Sequence, residues 1–533
     1  MAQAGNRGAA VILGDPASPA VAAPQGQRRA SLDEVFHRIA QRQPDVTALV
    51  DAPNRAAFTD GAPRRLTYAQ AERAVAAIAT RLTGMGLSAD AVVGIQLPNT
   101  VESILTILGV MRAGMIAAPL PLLWRRADAV AALGRIGAKA LITCGRADGF
   151  NHCQLAMRIA SELFSIRYVC AFGSNLPDGV VPLDQVLAAE PGAPLPPLDR
   201  DRINNAAAHV GLITFEVGSN GIVPVARNHL EMIAGGLGAT LESRLTQGAH
   251  ILSTMPASSF AGVSLMLLPW LLSAGTLCLH HRYDADVLTQ QRRNEACHTL
   301  VMPGAFALRL AQTGAFTRED RGAIVGAWRS PERLQECGSW PVDNMFLVDV
   351  PIFGEAGLLA GRRGADGRPA ALPIGPVTAP REGRGGVIVT EVAATAAGTV
   401  GLRGPMVPRH AFPPGIERSG LPHFEIDRTG LVDTGYACNI DEGGKSLTVT
   451  AAPAGMVSVG GYRLPLLELQ EAIGRIDRDA TLTTLPDPLL GQRLVGKAPN
   501  REVVRAALSA VGVNPIVTAA FRGRGDVIET ALA

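Results

Sequence analysis

Lysine is almost absent from this sequence of 533 residues, and its scarcity limits the chemistry that the chain offers. The three lysines are Lys139, Lys445 and Lys497, and arginine supplies the remainder of the 49 basic residues. A function that depends on a lysine elsewhere in the chain is therefore excluded. Excess charge of either sign is missing as well. The net charge of +2 gives no reason to expect nucleic acid or an anionic membrane surface as a partner.

Paired cysteine motifs are also missing. The seven cysteines include no Cys-x-x-Cys pair, and their odd number favours free thiols in a reducing compartment, which predicts a cytoplasmic location. The N-terminal segment lacks the basic-then-apolar order of a secretory signal. Residues 1–30 are rich in Ala, Gly and Pro without hydrophobic periodicity, so we expect them to form a flexible arm.

One apolar window raises the alternative of a membrane span. The segment GVSLMLLPWLLSAGTLCL, residues 262–279, is long enough for this. Pro269, Gly275 and the serines within it favour a buried helix followed by a strand, and we predict no membrane span. The composition, with 47% hydrophobic and 18% charged residues, suits a globular protein of two or more domains.

Hydrophobic spacing predicts alternating helices and strands over most of the chain. SLDEVFHRIAQRQP and LTYAQAERAVAAIATRLTGMG have helical spacing, whereas AVVGIQLPN and KALITCG are typical of strands. Short β-type runs rich in Gly and Pro follow from about 360 to 460, and Pro and Gly in TAAPAG interrupt the pattern. We therefore predict an α/β fold. Residues 31–450 form a large domain of stacked α/β sheets with a β-barrel-like antiparallel subdomain, and residues 451–533 form a small, shortened α+β domain.

A glycine turn follows one of the predicted strands. It consists of Gly218, Ser219, Asn220 and Gly221, and backbone N–H groups in such a turn can converge on a phosphate. No lysine accompanies it, and Glu216 precedes it. Two like charges about 5 Å apart repel by roughly 3 kcal/mol at an effective dielectric near 20, so Glu216 opposes polyphosphate binding. Two interpretations stay open: a working phosphate loop, and a structural turn that joins the strand to a helix.

The order of several motifs resembles the adenylate-forming (AMP-binding) superfamily of acyl-CoA synthetases, adenylation domains and luciferases. VMRAGMIAAPL, GSNG, GLRGPMV, GLVDTG with DEGG, and VGGYRLPLLELQEAI follow one another in the order of that family, over roughly residues 31–515. The resemblance implies ATP, magnesium and CoA as cofactors and a small carboxylic acid or acyl group as the partner. The acid would first become an acyl-adenylate and then a thioester.

The resemblance also suggests candidate site residues. Without a gap, VDVPIFGEAG places Glu355 at the family's magnesium-binding glutamate, which makes it a candidate catalytic residue and metal ligand. The adenine-stacking tyrosine is lost in this register, and Phe353 replaces it only in part. A second register leaves Gly357 at the glutamate position. Arg227 is the cation nearest to the glycine turn and is therefore the candidate replacement for the missing loop lysine.

The ribose-binding Thr-Gly-Asp of the family corresponds to Thr434, Gly435 and Tyr436. Thr434 and Tyr436 are therefore candidate cofactor contacts, although a phenol cannot serve as a bidentate carboxylate acceptor. Gly461, within the family-like segment GGYR, is a further candidate. The adjacent histidines His280 and His281 have no third ligand at suitable spacing, so we expect a surface pair and no metal site.

The predicted hinge and tail depart from the family pattern. Ala454 falls on the hinge position, and Pro453 restricts the backbone directly before it. The tail offers Arg522 and Arg524 but no lysine. Four charged groups of the family are thus missing: the loop lysine, the ribose aspartate, the hinge arginine and the terminal lysine. Two hypotheses follow: an acyl-CoA synthetase-type ligase with impaired or rewired adenylation, and a non-catalytic protein of the same fold that binds an acyl compound, CoA or a protein partner.

Overall fold

The computed structural model describes residues 30–188, 206–219, 221–317, 319–379 and 386–522. The arm predicted for residues 1–30 lies outside these ranges except for its last residue. Within the described ranges the helices are α1 (Leu32–Arg42), α2 (Tyr68–Gly84), α3 (Val101–Arg112), α4 (Arg126–Ile136), α5 (His152–Glu162), α6 (Asp184–Ala188), α7 (His229–Glu242), α8 (Phe260–Gly262), α9 (Leu268–Ser273), α10 (Ala285–Asn294), α11 (Gly304–Gln312), α12 (Leu466–Ile476), α13 (Arg501–Val511) and α14 (Pro515–Ala519).

The strands in the same ranges are β1 (Thr47–Val50), β2 (Arg65–Thr67), β3 (Val92–Gln96), β4 (Ile116–Pro119), β5 (Ala140–Cys144), β6 (Arg146–Ala147), β7 (Phe150–Asn151), β8 (Tyr168–Phe172), β9 (Val180–Pro182), β10 (Val210–Gly218), β11 (Gly221–Asn228), β12 (His250–Ser253), β13 (Thr276–Leu279), β14 (Thr299–Pro303), β15 (Gly322–Trp328), β16 (Met345–Phe353), β17 (Gly357–Leu358), β18 (Gly361–Arg362), β19 (Leu372–Pro373), β20 (Gly375–Ala379), β21 (Val387–Ala394), β22 (Thr399–Arg403), β23 (Val432–Ile440), β24 (Ser446–Ala451), β25 (Met456–Val459), β26 (Tyr462–Pro465), β27 (Thr481–Asp487) and β28 (Gly491–Lys497).

Two mainly parallel sheets form the body of the protein. The first has the strand order β11-β10-β4-β3-β5-β8-β9, in which only β10 and β11 pair antiparallel. The second runs β17-β16-β15-β14-β12-β13-β1-β2, with β18 beside β16, and its central pairs are parallel. Helix crossovers join the parallel strands, as the alternating sequence pattern predicts.

The main hydrophobic core is centred on α3. Nearly every residue of this helix is buried, which explains its almost uninterrupted apolar sequence. Gly109 allows a close approach to α2, because a Cβ there would lie 2.6 Å from Cγ2 of Ile78. The neighbouring helix α2 begins at a capping box in which Thr67 and Gln70 each bond to the other's backbone.

The segment rich in Gly and Pro folds into a six-stranded antiparallel sheet of order β19-β24-β23-β22-β21-β20. Within the described ranges its two edge strands do not pair with each other. The antiparallel prediction is therefore confirmed, and the barrel-like form is replaced by an open sheet. Strands β19 and β20 lie at opposite edges although they are adjacent in sequence.

Residues 456–522, called the C-terminal subdomain from here on, contain a four-stranded antiparallel sheet of order β26-β25-β28-β27 and helices α12–α14. They have a hydrophobic core of their own, which includes Ile473 and Phe521. The subdomain also contacts α4, since Arg126 donates through Nη2 to the Val511 carbonyl at 3.0 Å. The limits drawn at 450 and 451 stay a prediction.

The apolar window at 262–279 forms a buried helix and a strand, as predicted. A π-helical turn, Val263–Leu267, leads into α9, and β13 follows it inside the second sheet. Across the ranges that the structure describes, none of the helices combines the length and the apolar character that crossing a membrane requires.

Candidate functional site

A cavity of about 240 Å³ lies where strand ends of both parallel sheets meet the C-terminal subdomain. Its aromatic wall includes Trp124, Phe215, Tyr283, Phe306 and Trp328. Its ionisable wall consists of Asp148, Glu216, His280, His281, Arg282, Arg329, Arg333, Glu355 and Arg463. Residues 460–463 and 489–491 of the C-terminal subdomain close one side of it. A small ligand in this cavity would therefore contact both parts of the protein.

The glycine turn is the tip of a β-hairpin. Gly218 pairs directly with Gly221 across β10 and β11, and Gly221 has φ +96°. The expectation that this turn joins a strand to a helix is wrong, because β11 intervenes and α7 begins only at His229. Asn220 lies outside the described residues. The described turn residues Gly218, Ser219 and Gly221 are not part of the cavity wall, whereas Glu216, which precedes the turn, is.

Glu216 forms an ion pair with Arg463 of β26. The two side chains are only 17% and 13% exposed, and Glu216 also accepts the backbone N–H of Glu355. Burial lowers the pKa of Arg463 to about 10, which leaves the guanidinium charged at neutral pH. The guanidinium carbon lies 5.3 Å from the ring centroid of Tyr436. The negative charge that would oppose phosphate thus has a positive partner from the C-terminal subdomain.

Glu355 lies in the cavity wall. This position agrees with its choice as a candidate site residue from the ungapped comparison of VDVPIFGEAG with the family. Its Oε2 accepts the backbone N–H of Phe260 at 2.9 Å. Burial raises the pKa of its carboxyl, and the nearby Arg227 partly opposes this shift. Among the described residues no group of three or more His, Cys, Asp or Glu side chains is arranged to hold a metal ion. Glu355 therefore supplies one carboxylate to the cavity, and its role as a magnesium ligand stays a prediction.

Arg227 lies behind the cavity wall. It is fully buried, donates to the backbone carbonyls of Glu355 and Ala356, and stacks 3.7 Å from the ring centroid of Phe260. Burial lowers its pKa to about 10. These contacts fix the backbone beside Glu355. The Arg227 side chain does not reach the cavity in this arrangement, and its role as the replacement for the loop lysine stays a prediction.

Phe353 and Tyr436 also lie in the interior, and Thr434 is half-buried. Phe353 and Tyr436 are each 1% exposed and meet edge to face at a centroid distance of 5.5 Å. The Tyr436 hydroxyl donates to the Arg329 carbonyl at 3.3 Å, and the Thr434 hydroxyl donates to the Val400 carbonyl at 2.7 Å. Burial raises the pKa of Tyr436. In this arrangement the candidate adenine and ribose contacts pack against protein, and their cofactor role stays a prediction.

Gly461 lies in the cavity wall, where it approaches a side chain that the sequence analysis missed. It has φ +83°, and a Cβ there would lie 2.7 Å from Cδ of Arg329. The Arg329 Nη2 donates to the Ser259 hydroxyl at 2.5 Å. Gly491 approaches Arg333 similarly, with 3.1 Å between its Cβ position and Nη1. Two glycine loops of the C-terminal subdomain thus close over two arginines.

The two adjacent histidines do not form the expected surface pair. His280 is 1% exposed, and its Nδ1 lies 3.0 Å from Oε1 of Gln291. The Nε2 of His281 lies 3.0 Å from Oδ2 of Asp148. Both histidines contribute to the cavity wall, because β13 ends directly before them. Ligand-binding residues in parallel sheets commonly follow the carboxyl ends of the strands. The position of both histidines directly after a predicted strand was therefore the sequence signal for a place in the site.

The AMP-binding enzyme family matches residues 36–340 of the chain. The sulfoacetate–CoA ligase of Cupriavidus necator is 25% identical over 455 residues, which cover 80% of this chain and 81% of that protein. The salicyl-AMP ligase / salicyl-S-ArCP synthetase of Mycobacterium tuberculosis is 29% identical over 174 residues, which cover 32% of this chain and 29% of that protein.

Solved structures show a similar fold. The amide bond synthetase McbA from Marinactinospora thermotolerans has a TM-score of 0.66 and 18% identity, with 91% of this chain and 94% of that chain covered. The apo structure of MbtA from Mycobacterium smegmatis has a TM-score of 0.61 and 20% identity, with 92% and 90% covered. The likeness to both structures is one of fold, and the predicted α/β fold class is confirmed.

Proposed function

Since the chain belongs to the AMP-binding enzyme family, whose ligase members it resembles, we propose that it binds a small carboxylic acid in the cavity and that adenylation of this acid is impaired or absent. The acid class is suggested by the relatives, which are named sulfoacetate–CoA ligase and salicyl-AMP ligase / salicyl-S-ArCP synthetase. The loss of adenylation follows from this chain's own residues. Thioester formation with CoA and a cytoplasmic location stay predictions.

The Glu216–Arg463 ion pair is the observation that carries this proposal. It joins the strand before the glycine turn to the C-terminal subdomain, at the edge of the cavity. A polyphosphate would have to displace Arg463 from Glu216 or accept a carboxylate beside it, and both cost free energy. The turn itself offers no compensating lysine. The residues at the glycine turn therefore do not fit the polyphosphate of ATP.

Packing around the candidate adenine and ribose contacts supports the same proposal. Tyr436 and Phe353 contact each other in the core, and the Arg329 side chain extends between Ser259 and Gly461. The four missing charged groups point the same way. Each such group in an active site contributes a few kcal/mol to stabilising a transition state, so their combined loss removes most of the expected rate enhancement.

A rewired ligase is the second candidate function, and Glu355 favours it. This carboxylate keeps its place in the cavity wall, close enough to Arg329 for that guanidinium to oppose the rise in its pKa. In such an enzyme, cavity arginines would replace the missing lysines. The non-catalytic alternative, binding of an acyl compound, CoA or a protein partner, needs no such replacement.

ATP–pyrophosphate exchange and calorimetry together test the proposal. Exchange is measured with a panel that includes sulfoacetate, salicylate, benzoate and short aliphatic acids, with an active ligase of the family in parallel. Calorimetry measures binding of the same acids without ATP. We expect acid binding without exchange, and ATP·Mg²⁺ affinity weaker than micromolar. Saturable exchange with any acid, lost in Glu355→Gln, would establish the rewired ligase instead.

A further inference from the structure

The cavity contains more positive charge than its own carboxylates neutralise. Arg463 is paired with Glu216, and Arg282 lies close enough to Asp148 to help lower the pKa of that carboxyl. Arg329 and Arg333 remain, and each lies close enough to one carboxyl to oppose the rise in its pKa, Arg329 to Glu355 and Arg333 to Glu332. Across the described residues neither has a carboxylate oxygen within the 4.0 Å of an ion pair, although both are half-buried. Two guanidinium groups of this kind call for anionic ligand atoms.

Arg329 and Arg333 are adjacent on one structural element. They lie four residues apart, around the start of the 3₁₀ turn Pro331–Glu336 that follows β15. Arg329 donates to the Ser259 hydroxyl, and Arg333 donates through Nη1 to the Asp487 carbonyl at 3.2 Å. Each guanidinium has five N–H donors, so these neutral acceptors leave most of them available to a ligand.

The wall beside the two arginines is apolar. Tyr283 and Phe306 have ring centroids 4.6 Å apart, and the Trp328 indole N–H is already bonded to Asp349 at 2.8 Å. These rings therefore offer carbon surface to a ligand. The cavity thus combines a small apolar chamber with two separate cations.

We infer that the ligand is a small organic dianion, with an apolar body against Tyr283, Phe306 and Trp328 and one anionic group at each of Arg329 and Arg333. This inference rests on the proposed function, because it assumes that the cavity binds an acid. A monoacid bonds to one guanidinium and leaves the other, half-buried, without an anion in direct contact.

Matched acids of the same carbon skeleton test the inference by calorimetry. The probes are terephthalate against 4-methylbenzoate and succinate against butyrate. We expect the better diacid to bind about tenfold or more tightly than its monoacid partner, as a charge-assisted contact implies. Added salt should weaken the diacid more steeply than the monoacid.

Single variants identify the two arginines. In Arg329→Gln and in Arg333→Gln the diacid should lose its advantage and bind like the monoacid, because one cation is left. Glutamine keeps an N–H donor for Ser259 or for the Asp487 carbonyl, and circular dichroism checks folding. Arg475→Gln is the control, since Arg475 is 81% exposed and is not part of the cavity wall. It should leave both affinities unchanged.

The outcomes separate this inference from the function it rests on. Equal affinities and equal salt dependences within each pair would overturn the dianion while leaving acid binding intact. A diacid advantage that survives in both variants would overturn the assignment to Arg329 and Arg333. Failure of the folded protein to bind any acid would overturn the proposed function and this inference with it.

Discussion

Removing the ion pair between Glu216 and Arg463 should release the C-terminal subdomain from the cavity. This pair joins strands that are far apart in the sequence, and both side chains are mostly buried, with 17% and 13% exposure. Replacing Arg463 with glutamine leaves Glu216 at the cavity edge without its cation. The same holds in reverse for Glu216→Gln.

The size of the effect follows from the burial of the pair. Breaking a buried ion pair by removing one partner costs about 3 to 5 kcal/mol, and the remaining exposure places this pair at about 3 kcal/mol. Each 1.4 kcal/mol corresponds to a factor of ten, so the subdomain should open roughly a hundred times more often in the variant.

Hydrogen exchange of β25 and β26 amides measures this opening, because local opening limits exchange there. Cleavage near residues 450–456 provides a second readout when cleavage is slower than closing. Arg475→Gln serves as the control: its contact with Glu471 is 3.9 Å long between exposed side chains, and such pairs contribute at most about 1 kcal/mol.

A double-mutant cycle decides whether the pair itself is responsible. Glu216→Gln combined with Arg463→Gln should cost less than the sum of the single variants, with a coupling energy of about 2 kcal/mol or more. Unchanged exchange in Arg463→Gln, or strictly additive effects, would show that other contacts hold the subdomain.

Three further predictions concern other parts of the chain. Gly461→Ala should destabilise the subdomain by about 1 to 2 kcal/mol and weaken acid binding in calorimetry, because the backbone φ of Gly461 is positive and the added Cβ would displace Arg329. Gly474→Ala is the control and should have neither effect, since the space around Gly474 is open. Burial, together with the nearby charge of Arg125, lowers the pKa of His152 in the folded protein from its ordinary 6.5 to about 3. As the pH drops below 6.5, His152 therefore binds a proton in the unfolded chain but not in the folded protein, and the free energy of unfolding falls. Denaturant titrations of His152→Leu should therefore show a loss between pH 7 and pH 5 that is smaller than the wild-type loss by about 2 kcal/mol. Pro453→Gly should speed cleavage near 450–456 without producing pyrophosphate exchange, and appearance of exchange would show that the hinge alone had blocked catalysis.

Local patterns predicted the fold because burial and spacing are written into neighbouring residues. The apolar run of α3 and the proline and glycine of the 262–279 window are examples, and the motif order gave the family correctly. The sequence analysis interpreted Gly218 to Gly221 as a phosphate loop or a turn into a helix and did not predict the β-hairpin. The Asn-Gly pair between alternating apolar residues is a recognised hairpin signal. The resemblance to a phosphate loop obscured it.

The contacts that define the site depend on tertiary packing and could not be predicted from spacing. Glu216 meets Arg463 only because β10 and β26 come together at the cavity. His280 is buried because Gln291 of α10 packs over the end of β13. The roles assigned to Glu355, Arg227 and the ribose contacts stay predictions.

Strand β11 has a consequence for how copies of this protein behave at high concentration. It forms one edge of the seven-stranded sheet and is eight residues long, and a free edge of that length is a template for strand addition by another molecule. Its last six residues, 223–228, are buried, so the rest of the fold covers most of this edge. Pro224 lies in the middle of β11, opposite Phe215. A proline is tolerated in a strand where its nitrogen faces away from the neighbouring strand, so the outer edge is short of one donor at its midpoint. The burial of this edge and its missing donor both disfavour edge-to-edge aggregation of folded molecules.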